Sequence, residues 1–150
     1  LAAAVPAIVL GLVTGASGVS ALASGRPWVL APRAANLAEA AANRDIAEVL
    51  VRLSLGEDAN RPGLVRNPQQ LDRPVMLTPL EGAVLAQHTP LVKLLISRGA
   101  HASGKALMRV RCFATHSAGH GRIGNGDTIE YLATLDSSPL NCDGVQIPAI

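Results

Sequence analysis

Thr78-Pro79-Leu80-Glu81-Gly82-Ala83-Val84-Leu85-Ala86-Gln87-His88-Thr89-Pro90-Leu91-Val92-Lys93-Leu94-Leu95-Ile96-Ser97-Arg98-Gly99-Ala100 reads as two short helices with a turn between them. Pro79 fits a first helical position, where its missing N–H has no partner to lose, and Thr78 stands in front of it. The break at Gln87-His88-Thr89-Pro90 separates that helix from a second, Leu91 to Ile96. Gly99 follows, a residue that takes a left-handed conformation cheaply and so ends a helix. A lone helix pair of this size cannot bury its own apolar face, so neighbouring units must stack on it.

An upstream copy is present. Asp45 to Leu53 supplies a second-helix pattern and Gly56-Glu57-Asp58-Ala59-Asn60 its ending, with Gly56 standing where Gly99 stands later, 43 residues on. Leu37 to Asn43 supplies the first helix, in which Ala38, Ala40, Ala41 and Ala42 permit close helix approach and Asn36 is a good N-cap. The Thr-Pro-Leu start, the helix pair and the Gly-Ala ending resemble the ankyrin repeat family, whose period is about 33 residues. The surplus of about ten residues lies in 61–77, where Pro62, Gly63, Asn67, Pro68 and Pro74 predict an extended finger or loop. A third unit, with helices at Lys105–Thr115 and Asp127–Leu135 around the glycine-rich loop His116–Gly126, lacks the Gly-Ala ending and reads as a cap on the stack.

The resemblance implies a protein-binding scaffold whose concave side is built from fingers and first helices. Partner contacts are accordingly expected from Arg61, Arg66, Gln69, Gln70 and Arg73 on the finger, with Glu81 and His88 beside it, since arginine pairs in two-pronged fashion with carboxylates and is enriched at interface cores. The competing reading of the finger is a passive loop kept soluble by its arginines.

The first 25 residues, Leu1 to Gly25, carry no charge; Arg26 is the first. As a helix, Leu1 to Leu22 would reach about 33 Å, enough for a hydrocarbon core of about 30 Å. Arg26-Pro27-Trp28 supplies an interfacial flank. Ala7, Gly11, Gly15 and Gly18 would let the segment pack against transmembrane helices of a larger complex, its Leu and Val faces meeting lipid. Ala21-Leu22-Ala23 has the form of a signal-peptide cleavage site, which supports an exported soluble binding protein instead; a buried soluble helix is the third reading. Arg26 and Arg33 favour a cytoplasmic placement of the repeat domain, and the Ala-, Gly- and Arg-rich composition suits a bacterial inner membrane. A leading Leu1 in place of Met is expected of a processed chain or of part of a longer one.

The expected class is therefore all-α: an ankyrin-repeat helical stack of about three units over 35–136, preceded by a transmembrane helix (1–25) and an interfacial linker (26–34), and followed by a tail (137–150). Thirteen basic and 11 acidic residues give a net charge of +2, too small and too evenly spread for a nucleic-acid footprint. Trp28, Phe113 and Tyr131 are the aromatic residues, too few for a base-stacking platform. No nucleophile elbow, phosphate loop or paired-carboxylate spacing points to catalysis, and no cofactor is expected. Cys112, His116 and His120 share a helical spacing, but Gly119 and Gly121 argue for a solvated loop rather than a metal site. Cys112 and Cys142 are open to two readings, a bridge in an oxidising compartment or two buried thiols.

Overall fold

The computed structural model describes residues 33–66, 71, 73–119 and 126–147. The chain divides at Arg33/Ala34, and the second unit, Ala34–Ile150, holds every described element. Among the described residues these are six helices and two strands: α1 (Leu37–Ala42), α2 (Ile46–Ser54), β1 (Gly63–Val65), β2 (Val75–Leu77), α3 (Pro79–Leu85), α4 (Thr89–Ser97), α5 (Gly104–Gly119) and α6 (Gly126–Leu135).

The 43-residue spacing is visible in the backbone itself. Arg44 and Gln87, 43 residues apart, both adopt left-handed φ (59° and 55°), as do Gly56 and Gly99 (84° and 93°). Around each, the same hydrogen bonds recur. Asp45 N donates to Ala40 O and His88 N to Ala83 O; Gly56 N donates to Leu53 O and Gly99 N to Ile96 O; Glu57 N donates to Arg52 O and Ala100 N to Leu95 O. The second helices are capped alike: the Asp45 carboxylate accepts from Glu48 N at 3.0 Å, and His88 Nδ1 accepts from Leu91 N at 3.2 Å. Two successive helix pairs therefore share one turn geometry.

The pairs stack in two layers. First helices pack on one another, α1 on α3 and α3 on α5, each second helix returns against its own first, and α4 meets α6. Both α1 and α3 are buried along their whole length. Their approach is close enough that a Cβ added at Gly82 would lie 2.5 Å from Ala38 O and 3.2 Å from Ala42 N. Side chains tie the layers at both ends: Arg44 Nε donates to Ala86 O at 2.6 Å, while Asn60 Nδ2 donates to Gly99 O at 3.0 Å and its Oδ1 accepts from His101 N at 2.6 Å. Thr89 and Thr128 share a hydroxyl–hydroxyl bond of 2.8 Å, and Lys93 Nζ sits 4.9 Å above the Tyr131 ring, joining α4 to α6.

Arg52 knots the first unit. It meets Glu48 Oε1 and Glu57 Oε2, each at 3.0 Å, and donates to Ala34 O, while Glu57 Oε1 accepts from Leu37 N at 2.9 Å. Burial works against the guanidinium charge, but the two carboxylates outweigh it and raise the Arg52 pKa.

Two expectations are corrected, and a third, the membrane span, falls outside the described residues. The class is mixed rather than all-α, because 61–77 contains an antiparallel hairpin in the register Gly63↔Leu77, Leu64↔Met76, Val65↔Val75. Each strand is three residues long, too short to show the alternation that marks a strand in sequence, and too short to be stable alone. It is held by α1: Asn36 caps that helix, as expected, and also donates through Nδ2 to Leu64 O at 2.9 Å, while Val65 and Leu77 enter the core. No helix among the described residues is long and apolar enough to cross a membrane. The expected spanning segment Leu1 to Leu22, with Ala7, Gly11, Gly15 and Gly18, lies outside the described residues. Secondly, α5 continues past Thr115 through Gly119, so His116 belongs to a helix rather than a loop; Ser117 is buried there and donates to Phe113 O at 2.7 Å.

The segment after α6 is tied back to α5. Cys112 and Cys142 form a disulfide, Arg111 Nη2 donates to Ser138 O at 3.1 Å, and Arg111 Nη1 lies 3.9 Å from Asp136 Oδ2. The backbone N–H and hydroxyl of Ser138, helped by Arg111, lower the Asp136 pKa, so this carboxylate favours the folded tail above about pH 4 and ceases to do so as the pH falls through its own lower value.

Gly82→Ala is expected to lose about 1–3 kcal/mol through overpacking against the α1 backbone. Thermal unfolding should show a drop of several degrees, and an unchanged melting temperature would contradict the close approach.

Candidate functional site

Two features at one end of the stack meet at the base of the hairpin. The first is the hairpin itself, whose two ends are set by carboxylates at the third position of consecutive first helices. Glu39 accepts from Ala35 N with Oε2 and from Arg66 N, at 3.3 Å, with Oε1. Glu81 completes a capping box: Oε2 accepts from Thr78 N at 2.7 Å and lies 3.0 Å from Thr78 Oγ1, while Thr78 Oγ1 accepts from Glu81 N at 3.2 Å. In both units one oxygen serves the helix start and the other reaches the next structural layer.

The second feature is a groove of about 270 Å³ between the start of α3 and the exposed side of α5. Ala59, Leu80, Ala106 and Val110 give it apolar walls; Asn60, Thr78, Glu81, His101, Lys105 and Arg109 give it polar ones. Glu81 is 1% exposed and its Oε1 lies 2.6 Å from Arg109 Nε, whereas the Arg109 side chain is 43% exposed. Lys105 lies four residues before Arg109 and therefore on the same helical face. Asn60, which bridges the two loop ends, forms part of the rim. A buried carboxylate that anchors a half-exposed guanidinium by an ion pair beside a second cation is suited to receiving an anion.

The residues expected from sequence to bind a partner are distributed differently. Arg61, Arg66 and Arg73 are exposed on or beside the hairpin; Gln69 and Gln70 lie outside the described residues. Glu81 is buried, with its carboxylate engaged by the cap and by Arg109, so it acts through Arg109 rather than by direct contact. His88 is half-buried and caps α4. The sequence reading missed Lys105, Arg109 and His101. The four-residue spacing of Lys105 and Arg109 was the available signal, but their convergence with Glu81 depends on the stacking of α3 against α5.

His120 lies outside the described residues, and among the described residues no group of three or more His, Cys, Asp or Glu could hold a metal ion. No family model matches the chain, and no curated protein or solved structure matches it.

Proposed function

We propose that this chain carries a protein-binding repeat module of the ankyrin type, in which the hairpin and the groove at its base face the partner. The observation that supports this reading most is the recurrence, 43 residues apart, of one turn geometry on either side of an inserted hairpin. Such an arrangement commits its apolar surface, Val65, Leu71 and Leu77 of the insert included, to stacking and leaves Arg61, Arg66 and Arg73 exposed, which fits a repeat scaffold better than a catalytic fold. The hydroxyl–carboxylate pair in the groove, Thr78 with Glu81, is committed to the α3 capping box.

The Cys112–Cys142 disulfide favours a module that works in an oxidising compartment, as the exported alternative requires. Protein recovered from its native source under acid quench should take up no polyethylene-glycol maleimide before reduction and two equivalents after it. Full labelling without reductant would refute the oxidising placement.

The binding role is tested by chemical cross-linking of the full chain to its neighbours in native extract, wild type beside the triple variant Arg61→Ala, Arg66→Ala, Arg73→Ala. A cross-linked product that falls about tenfold in the variant, with an unchanged melting temperature, is expected. Equal yield from both proteins would remove the hairpin from the interface.

A further inference from the structure

We propose that the groove at the hairpin base receives one acidic side chain of a partner polypeptide, with Arg109 and Lys105 as its carboxylate contacts; this rests on the protein-binding reading above. Arginine carries five N–H donors in a fixed plane. Glu81 Oε1 forms an ion pair with the Nε edge at 2.6 Å, without hydrogen-bond alignment, so the attraction anchors the guanidinium at the groove and leaves the terminal nitrogens for a ligand. Because Glu81 is itself pinned by Thr78 through two contacts, the guanidinium is held in place before anything binds, and less rotamer freedom is lost on association. Removing Glu81 from this arrangement would leave a mobile arginine; its presence converts a surface cation into a positioned receptor.

Charge and size narrow the ligand. Lys105 and Arg109 set against Glu81 leave one surplus positive charge, matched by one carboxylate, with the His101 ring at the rim as a further donor. At about 270 Å³ the space falls below the roughly 300–1,000 Å³ of cavities that enclose a small molecule, and suits a single side chain. The apolar walls from Leu80, Ala106 and Val110 would receive its methylene groups while the carboxylate reaches the cations. No Phe, Tyr or Trp lines the groove, so a nucleobase would find no large aromatic face to stack on.

The test uses the full chain, immobilised, and N-acetylated, C-amidated degenerate peptide libraries whose central residue is fixed as Glu, Asp, Gln or phosphoserine. The Glu and Asp libraries are expected to be retained about tenfold more than the Gln library. Arg109→Lys keeps a charge beside Glu81 but loses the planar fork, and should reduce retention of the acidic libraries about tenfold. Lys105→Gln touches no internal partner and should reduce it about threefold at an unchanged melting temperature. Equal retention of the Glu and Gln libraries, or unaltered retention by both variants, overturns the proposal. Preferential retention of the phosphoserine library overturns the carboxylate assignment. Should the cross-linked product still fall in the triple arginine variant while the Glu and Gln libraries bind alike, the groove is excluded and the hairpin contact stands; equal cross-linking of wild type and triple variant together with selective Glu retention excludes the hairpin alone.

Discussion

The contact between α1 and α3 sets the rest of the structure. Six residues of α1, four of them alanine, lie wholly buried against a helix that presents Gly82 to the α1 backbone. Helices with small residues at the contact approach closely, and interiors at native packing density tolerate little added volume there. This places the two units at one separation and aligns their turns, so that Arg44 reaches Ala86 O and Asn60 reaches both Gly99 O and His101 N. A larger residue at Gly82 would push those ends apart together.

From that separation follows the use of the two glutamates. Glu39 and Glu81 each stand three residues after an N-cap, where an acidic side chain suits the positive end of a helix. Each has a second oxygen to spare. In the first unit it holds Arg66 N and hence the hairpin; in the second it holds Arg109 and hence the groove. One local motif thus does two long-range jobs, and a surface that binds is built from parts that also fold.

The helix pairs were legible because their signals are local. Gly56 and Gly99 end helices, Asn36 and Thr78 begin them, and the apolar spacing of Leu91, Val92 and Leu95 marks a buried face. The hairpin was not, since Gly63–Val65 and Val75–Leu77 are strands by virtue of what Asn36 and Glu39 of another element do for them. The end of α5 departs from its local signal for a related reason: glycine at 119 disfavours helix by itself, but burial of Phe113 and Ser117 in the core carries the helix through. The turn residues Arg44 and Gln87 give no sequence hint of a left-handed backbone, which is disfavoured for both. The groove was invisible because Glu81 and Arg109 are 28 residues apart and no local period connects them.

Native-state hydrogen exchange on the full chain tests the central claim most directly. If the α1–α3 approach organises the fold, the interior amides of α1 and α3 should share the highest opening free energy and converge on one denaturant dependence, as members of one cooperative unit. Exchange of α1 at a much lower free energy than α3, with its own shallow denaturant dependence, would show that the first unit opens independently and would contradict the account.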